Sequence, residues 1–94
     1  MPIRVFKVSG DSMLPTLRDG SYIMCWKSPF TRFKAGQILV VRHEQLGLII
    51  KRAIQKDKAG YFYLAGDNPM STSTDTIGAI HPKQVIGKLF YICY

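Results

Sequence analysis

Residues 48–54 read Leu-Ile-Ile-Lys-Arg-Ala-Ile, an aliphatic run that contains two adjacent cations. Branched aliphatic residues favour a β-strand, in which successive side chains point to opposite faces. Lys51 therefore shares a face with Ile49 and Ala53, and one of Lys51 and Arg52 must point inward. The alternative is an edge strand from which both cations reach water. Either way, this stretch predicts a β-strand that carries two charges.

Five further strand-like runs accompany this one, at residues 3–8, 21–27, 37–42, 61–65 and 84–92. Turn-forming sequences separate them, such as Arg-Asp-Gly at 18–20 and Gly-Asp-Asn-Pro at 66–69. Only residues 12–17 favour a helical turn. We therefore expect a single all-β domain over residues 1–94, built as a small coiled, partly closed β-barrel-like fold, since closure protects strand edges.

The composition limits the classes of binding partner that we expect. Thirteen Lys and Arg against six Asp and Glu give a net charge of +7, and hydrophobic residues make up 47%. This hydrophobic content argues against disorder. The cations are scattered rather than grouped in a dense block, so nucleic acid is not an expected partner. An acidic protein or an anionic membrane surface remains open. The sequence leaves the oligomeric state open.

No apolar run approaches the length that spans a bilayer, and residues 1–8 lack the pattern of a secretory signal. We therefore expect a cytoplasmic protein.

Cysteine and histidine are sparse. Cys25 and Cys93 have no Cys-x-x-Cys spacing, and we interpret both as buried small hydrophobic residues rather than a disulfide. His43 and His81 have no partner for a Ser-His-Asp site and no metal-ligand spacing. We expect neither a metal nor a cofactor.

Ser12 lies in the segment Val-Ser-Gly-Asp-Ser-Met-Leu-Pro-Thr-Leu, residues 8–17, where a strand gives way to a turn. Taken alone, it is typical of a helix cap. A lysine such as Lys51 becomes a base near pH 7 only if desolvation lowers its pKa by roughly 3 units. It can then take the proton from a serine hydroxyl that attacks a carbonyl. A third segment at 66–75, Gly-Asp-Asn-Pro-Met-Ser-Thr-Ser-Thr-Asp, is by itself a polar loop.

Together and in this order, the three segments resemble the conserved boxes of type I signal peptidases, over residues 5–87. The closest likeness is to the short soluble branch that includes the nickel-type superoxide dismutase maturation proteases. The resemblance implies a serine endopeptidase of the signal peptidase and LexA type. It implies that Ser12 is the acylated nucleophile, that its backbone N–H contributes to the oxyanion hole, and that Lys51 is the general base.

The resemblance also implies supporting residues around this pair. Ser73 would hydrogen-bond Lys51, and Arg52 would form an ion pair with Asp75. Substrate pockets would lie beside two residues of the serine segment, Met13 and Pro15.

Three departures from the family pattern affect these roles. Gly10 stands where some relatives have a serine that helps the oxyanion hole, so the hole would rely on the backbone. The arginine that often follows the Ser-x-Asp segment is absent after Asp75. One extra residue leaves Ser71, Thr72 and Ser73 as rival partners for the lysine.

The predicted function is removal of a leader or propeptide from a precursor protein, such as a nickel superoxide dismutase precursor. Because eleven residues precede Ser12, we expect no membrane anchor. The alternatives are a LexA- or UmuD-like self-processing fragment, a non-catalytic basic binding module and a peripheral membrane signal peptidase. The last would dock through an apolar set beside basic residues: Met13, Leu14, Trp26, Phe30 and Phe33, with Lys27, Arg32 and Lys34.

Overall fold

The computed structural model describes residues 2–93, which form six β-strands and two short helical segments. The strands are β1 (Ile3–Lys7), β2 (Tyr22–Trp26), β3 (Ile38–His43), β4 (Gly47–Lys56), β5 (Phe62–Ala65) and β6 (Val85–Cys93). The helical segments are α1 (Thr74–Ile77) and a 3₁₀ turn at Pro82–Gln84.

All six strands belong to one antiparallel sheet with the order β1-β2-β6-β3-β4-β5. The all-β prediction is confirmed. The sheet is open rather than closed, because β1 and β5 each have one neighbour within residues 2–93. Bulges interrupt the pairing of β6 with both of its neighbours and that of β4 with β5.

Residues 12–17 form turns rather than a helix, although one helical hydrogen bond joins the Leu17 N–H to the Met13 carbonyl at 2.9 Å. The Ser12 carbonyl accepts a hydrogen bond from the Asn68 N–H at 2.9 Å, so it does not serve as a helical acceptor. The short helix lies instead at α1, where the Ser73 hydroxyl accepts from the Thr76 N–H. The prediction of a brief helical turn at residues 12–17 is therefore confirmed only in part, because the contact with a distant loop engages the Ser12 carbonyl.

Two hydrophobic clusters flank the sheet. Leu39 and Val41 of β3 belong to one, and Ile38 and Val40 belong to the other. Because alternate residues of a strand face opposite sides, the clusters lie on the two faces of the sheet. The second cluster contains Met13, Leu17, Ile23 and Cys25, so it anchors the turn that carries Ser12.

The two cysteines differ in environment. Cys25 is buried, as predicted, and burial raises the pKa of its thiol. Cys93 is exposed, which corrects the prediction that both are buried, because it lies near the end of β6 outside both clusters. Both thiols are free.

No helix within residues 2–93 has the length and apolar character needed to cross a bilayer.

Candidate active site

Ser12 and Lys51 line the same cavity, which has a volume of about 240 Å³. The remaining lining residues come from the end of β1, from the serine turn, from β3 and from the first half of β4: Phe6, Lys7, Val8, Ser9, Met13, Val40, Leu48, Ile49 and Ile50. The wall is therefore mostly aliphatic. Ser12 and Lys51, which are 39 positions apart in the chain, therefore line one largely apolar space.

Lys51 is the inward-pointing cation of β4. It pairs with Leu39 of β3 and is only 5% exposed. Within residues 2–93, no carboxylate forms an ion pair with it. Desolvation consequently lowers the pKa of its amine. The structure excludes the edge-strand alternative in which both cations reach water.

The serine turn is held in place from its own side of the sheet. Gly10 adopts φ of 88°, a conformation that glycine tolerates, and its N–H donates to Asp19 Oδ1 at 2.8 Å. Ser12 itself is half-buried. Since Asp19 already engages the Gly10 N–H, that group is not available to an oxyanion. Among the described residues, the Ser12 N–H donates to no protein acceptor.

The loop at residues 66–68 clamps the serine turn from the other side. The Asn68 side-chain amide donates to the Asp11 carbonyl at 2.9 Å, in addition to its backbone bond to Ser12. Gly66 permits this approach, because a Cβ there would overlap the Ser12 carbonyl oxygen and lie 2.6 Å from Ser71 Cβ. The backbone of the candidate nucleophile is thus positioned by a glycine-dependent contact.

Arg52 forms its ion pair with Asp67, not with Asp75. Its Nε and Nη2 donate to the two carboxylate oxygens of Asp67 at 2.8 Å each, and its Nη1 donates to the Gly36 carbonyl at 2.7 Å. The Thr16 hydroxyl also donates to Asp67, which ties this pair to the serine turn. These bonds hold the pKa of the Asp67 carboxyl below its usual value. The guanidinium therefore braces the junction between β4, the 66–68 loop and the serine turn.

The predicted roles of Ser73 and Asp75 are therefore corrected. Ser73 caps α1, and its hydroxyl also shares a hydrogen bond of 2.9 Å with the Thr76 hydroxyl. Asp75 is exposed in the first turn of that helix. Of the three rival hydroxyls, that of Ser71 packs against Gly66, beside the Ser12 backbone. Forming α1 directs the side chains beyond residue 72 to local helix contacts instead of the lysine.

The two residues predicted to bind substrate, Met13 and Pro15, lie in different environments. Met13 lines the cavity and is 1% exposed, whereas Pro15 is exposed and does not line the cavity. Burial of Met13 also removes it from the predicted membrane-docking set, and Phe33 is buried in the first hydrophobic cluster. Phe30 and Trp26 of that set are exposed.

Several contributors to the site were not identified from the sequence. The sequence predicts only turns or a polar loop for the segments that contain Asp67, Asn68 and Asp19. Their roles depend on contacts with residues 9 to 57 positions away, which no local pattern encodes. The available signal was the adjacency of Gly66, Asp67 and Asn68 within one box of the family pattern.

The histidines have structural roles. His43 shares a hydrogen bond of 2.8 Å between Nε2 and the Ile77 carbonyl, and its Nδ1 accepts from the N–H groups of Gln45 and Leu46. His81 caps the 3₁₀ turn. The described part of the chain contains no group of three His, Cys, Asp or Glu residues placed to hold a metal ion.

Comparison with known families agrees with this architecture. The family model described as Peptidase S24-like matches residues 2–90, almost the whole chain. The comparison with curated proteins finds no match. The match fits the resemblance to Ser/Lys peptidases of the signal peptidase and LexA type. The chain belongs to the peptidase S24-like family, a family of serine peptidases.

Proposed function

We propose that this protein is a serine endopeptidase in which Ser12 is the nucleophile and Lys51 the general base. The observation that carries the proposal is the shared cavity, into which a half-buried serine and a desolvated lysine open from distant parts of the chain. A buried amine without an ion-pair partner lowers the stability of the fold. A role as general base would account for its position.

The reaction follows the usual order of acyl transfer. The neutral Lys51 amine accepts the Ser12 hydroxyl proton as Oγ attacks the substrate carbonyl, and the Ser12 N–H donates to the developing oxyanion. Collapse of the tetrahedral intermediate breaks the peptide C–N bond, and the lysine gives its proton to the leaving amine. The lysine then deprotonates a water molecule whose oxygen attacks the acyl carbon. The ester bond to Ser12 Oγ breaks, and the lysine returns the proton to Oγ.

No hydrogen bond joins the Ser12 hydroxyl to the Lys51 amine in the described part of the chain. Contacts of this kind are often long in the absence of substrate and tighten in the Michaelis complex. The proposal therefore requires the Ser12 hydroxyl and the Lys51 amine to come within hydrogen-bonding distance when a peptide binds.

The cavity suits an extended peptide. Among residues 2–93, the first half of β4 pairs only with β3, because β5 pairs with residues from Arg52 onward. In the same range, β1 pairs only with β2. Two strand segments with free backbone edges therefore border the cavity, and a peptide can add to such edges by main-chain hydrogen bonding. The small aliphatic wall favours short apolar side chains near the scissile bond.

The proposed substrate is the leader or propeptide of a precursor protein, with a nickel superoxide dismutase precursor as the specific candidate. Support for this candidate comes from the likeness to the short maturation proteases.

The test is cleavage of a proteome-derived peptide library and of a nickel superoxide dismutase leader peptide, read by mass spectrometry. Ser12→Ala and Lys51→Ala should each reduce kcat/KM by at least about 10³-fold. Ser73→Ala is the matched serine control and should retain cleavage, because Ser73 caps α1. Undiminished cleavage by either of the first two variants would refute the mechanism. Cleavage of library peptides but not the leader would refute only the specific substrate.

A further inference from the structure

A second cavity of about 440 Å³ lies toward the opposite end of β4 from the Ser12 cavity. Lys56 lines it, five residues beyond Lys51, which corresponds to about 17 Å along an extended strand. Its other lining residues come from the loop after β2, from β5 and from the 3₁₀ turn: Lys27, Ser28, Pro29, Thr31, Arg32, Phe33, Phe62, Pro82 and Lys83. The proposed peptidase mechanism uses none of them.

Four cations from three elements, the loop after β2, β4 and the 3₁₀ turn, line this cavity, and no described carboxylate does. They are Lys27, Arg32, Lys56 and Lys83. Asp57 follows one of them in the chain, but its carboxylate accepts from the Tyr61 N–H and the Tyr63 hydroxyl. The ion pair between Arg52 and Asp67 lies outside the cavity lining. Four like charges around one recess repel one another, and an anion relieves that repulsion.

Part of this cationic wall is already ordered. Lys27 Nζ donates to the Val85 carbonyl at 2.7 Å, which fixes its side chain and leaves two N–H donors for a ligand. Lys56 Nζ stacks over the Phe62 ring at 5.3 Å from the centroid. A smaller neighbouring cavity shares Lys27 and Lys83 and adds Arg4. The basic recess is therefore larger than one pocket, and ordering its side chains on binding costs less entropy.

We propose that this basic recess binds a soluble phosphate ester that carries several negative charges. A single carboxylate supplies one charge, whereas each phosphomonoester supplies about 1.5 to 2 at neutral pH. The hydroxyls of Ser28 and Thr31 share a hydrogen bond of 2.9 Å, which leaves one hydroxyl proton to donate to a phosphate oxygen. The volume leaves room for an organic group beside the phosphate, against the apolar part of the wall formed by Pro29, Phe33 and Pro82.

A phosphate-bearing lipid headgroup presents the same chemistry from a membrane. Phe30, 92% exposed on the adjoining loop, is the feature that fits a bilayer. The four cations are exposed and line a concave surface, which suits a small ligand that enters from solution. Separate arms of the test distinguish these two sources.

The experiment is calorimetric titration of the full chain with inorganic tripolyphosphate at low and high salt. We expect saturable binding that weakens as salt rises. The double variant Arg32→Gln/Lys83→Gln should bind at least about tenfold more weakly, since each charged hydrogen bond contributes substantially. Lys34→Gln/Lys58→Gln is the matched control, because it removes the same charge from exposed positions outside the recess. It should bind within about twofold of the wild type.

Three results would overturn the proposal. They are undetectable binding of tripolyphosphate by the wild type, equal weakening in the two double variants, and binding to phosphatidylglycerol vesicles without binding to tripolyphosphate. Ser12→Ala should bind tripolyphosphate as the wild type does. Its equal binding, together with lost cleavage, would show that the recess is separate from the proposed catalytic site.

Discussion

Replacing Gly66 by alanine tests how the serine turn is positioned. The added methyl group would overlap the Ser12 carbonyl oxygen and lie 2.6 Å from Ser71 Cβ. Ordinary contacts begin near 3.4 Å, so the loop must retreat by about 1 Å. The retreat separates Asn68 from the two carbonyls that it bonds, those of Asp11 and Ser12.

The structure gives a magnitude for this change. Two hydrogen bonds of about 0.5–1.5 kcal/mol each are lost, so the free energy of unfolding should fall by about 1–3 kcal/mol. For a domain of this size, that corresponds to a drop in Tm of roughly 5–20 °C. A displacement of the nucleophile by about 1 Å should also reduce kcat/KM about 10²-fold.

The assay combines thermal unfolding with cleavage of a library-derived peptide at a temperature where both proteins are folded. Gly87→Ala is the matched control. Its new Cβ would meet Cys25 Sγ at 2.9 Å and the Trp26 carbonyl oxygen at 3.0 Å, in β6 outside the lining of the Ser12 cavity. It should lose stability but keep kcat/KM. If Gly66→Ala keeps both its Tm and its kcat/KM, the proposed clamp does not position Ser12.

Three further substitutions test the electrostatics and the core. Lys51→Met should abolish cleavage and raise Tm at pH 7, because it removes the desolvation cost of a buried amine; a lower Tm would count against that burial. The pKa of Lys51 is lower in the folded chain than in the unfolded chain. The stability of the wild type therefore rises with pH between that lowered pKa and about 10.4. Over this pH range, the difference in Tm between Lys51→Met and the wild type should shrink. Asp67→Asn should lower the free energy of unfolding by about 1–2 kcal/mol in urea titrations at pH 7, a value discounted because the Arg52 side chain is 34% exposed. The hydrogen bond from Arg52 lowers the pKa of Asp67. The stabilisation by this carboxylate is therefore complete above about pH 3.9 and disappears as the pH falls through the lowered pKa. In acid, the wild type and Asp67→Asn should have the same free energy of unfolding. His43→Phe should lower the free energy of unfolding by about 2–4 kcal/mol in the same titrations, because the Ile77 carbonyl and the N–H groups of Gln45 and Leu46 lose their hydrogen bonds. An unchanged urea midpoint would contradict this structural role.

Strand-like runs separated by turn residues made the sheet predictable. All six predicted strand regions correspond to strands, because both signals are local in the sequence. The alternation of side chains along a strand indicated that a cation of β4 faces inward. It did not decide between Lys51 and the edge-strand alternative, since this depends on which neighbouring strands and turns cover the position.

Partner assignments were less predictable. The predicted ion pair of Arg52 with Asp75 was wrong, although the correct partner, Asp67, stands in the same segment eight positions earlier. Counting positions along a loop fails when part of that loop folds into a helix. Capping by Ser73 turns the residues after 72 toward α1, whereas Asp67 remains next to β5, beside the strand that carries the arginine.

By itself, the sequence determined an all-β chain and the two candidate catalytic residues, Ser12 and Lys51. The strand-like runs, and the three segments that resemble the family boxes, can be identified from the sequence alone. Only the tertiary structure decided that these two side chains line one cavity, that Asp67 and Asn68 brace the serine turn, and that four cations gather in a second recess. Those arrangements depend on contacts between residues that are distant in the chain. Close packing of the two clusters against an open sheet fixes these contacts, and no local pattern specifies them.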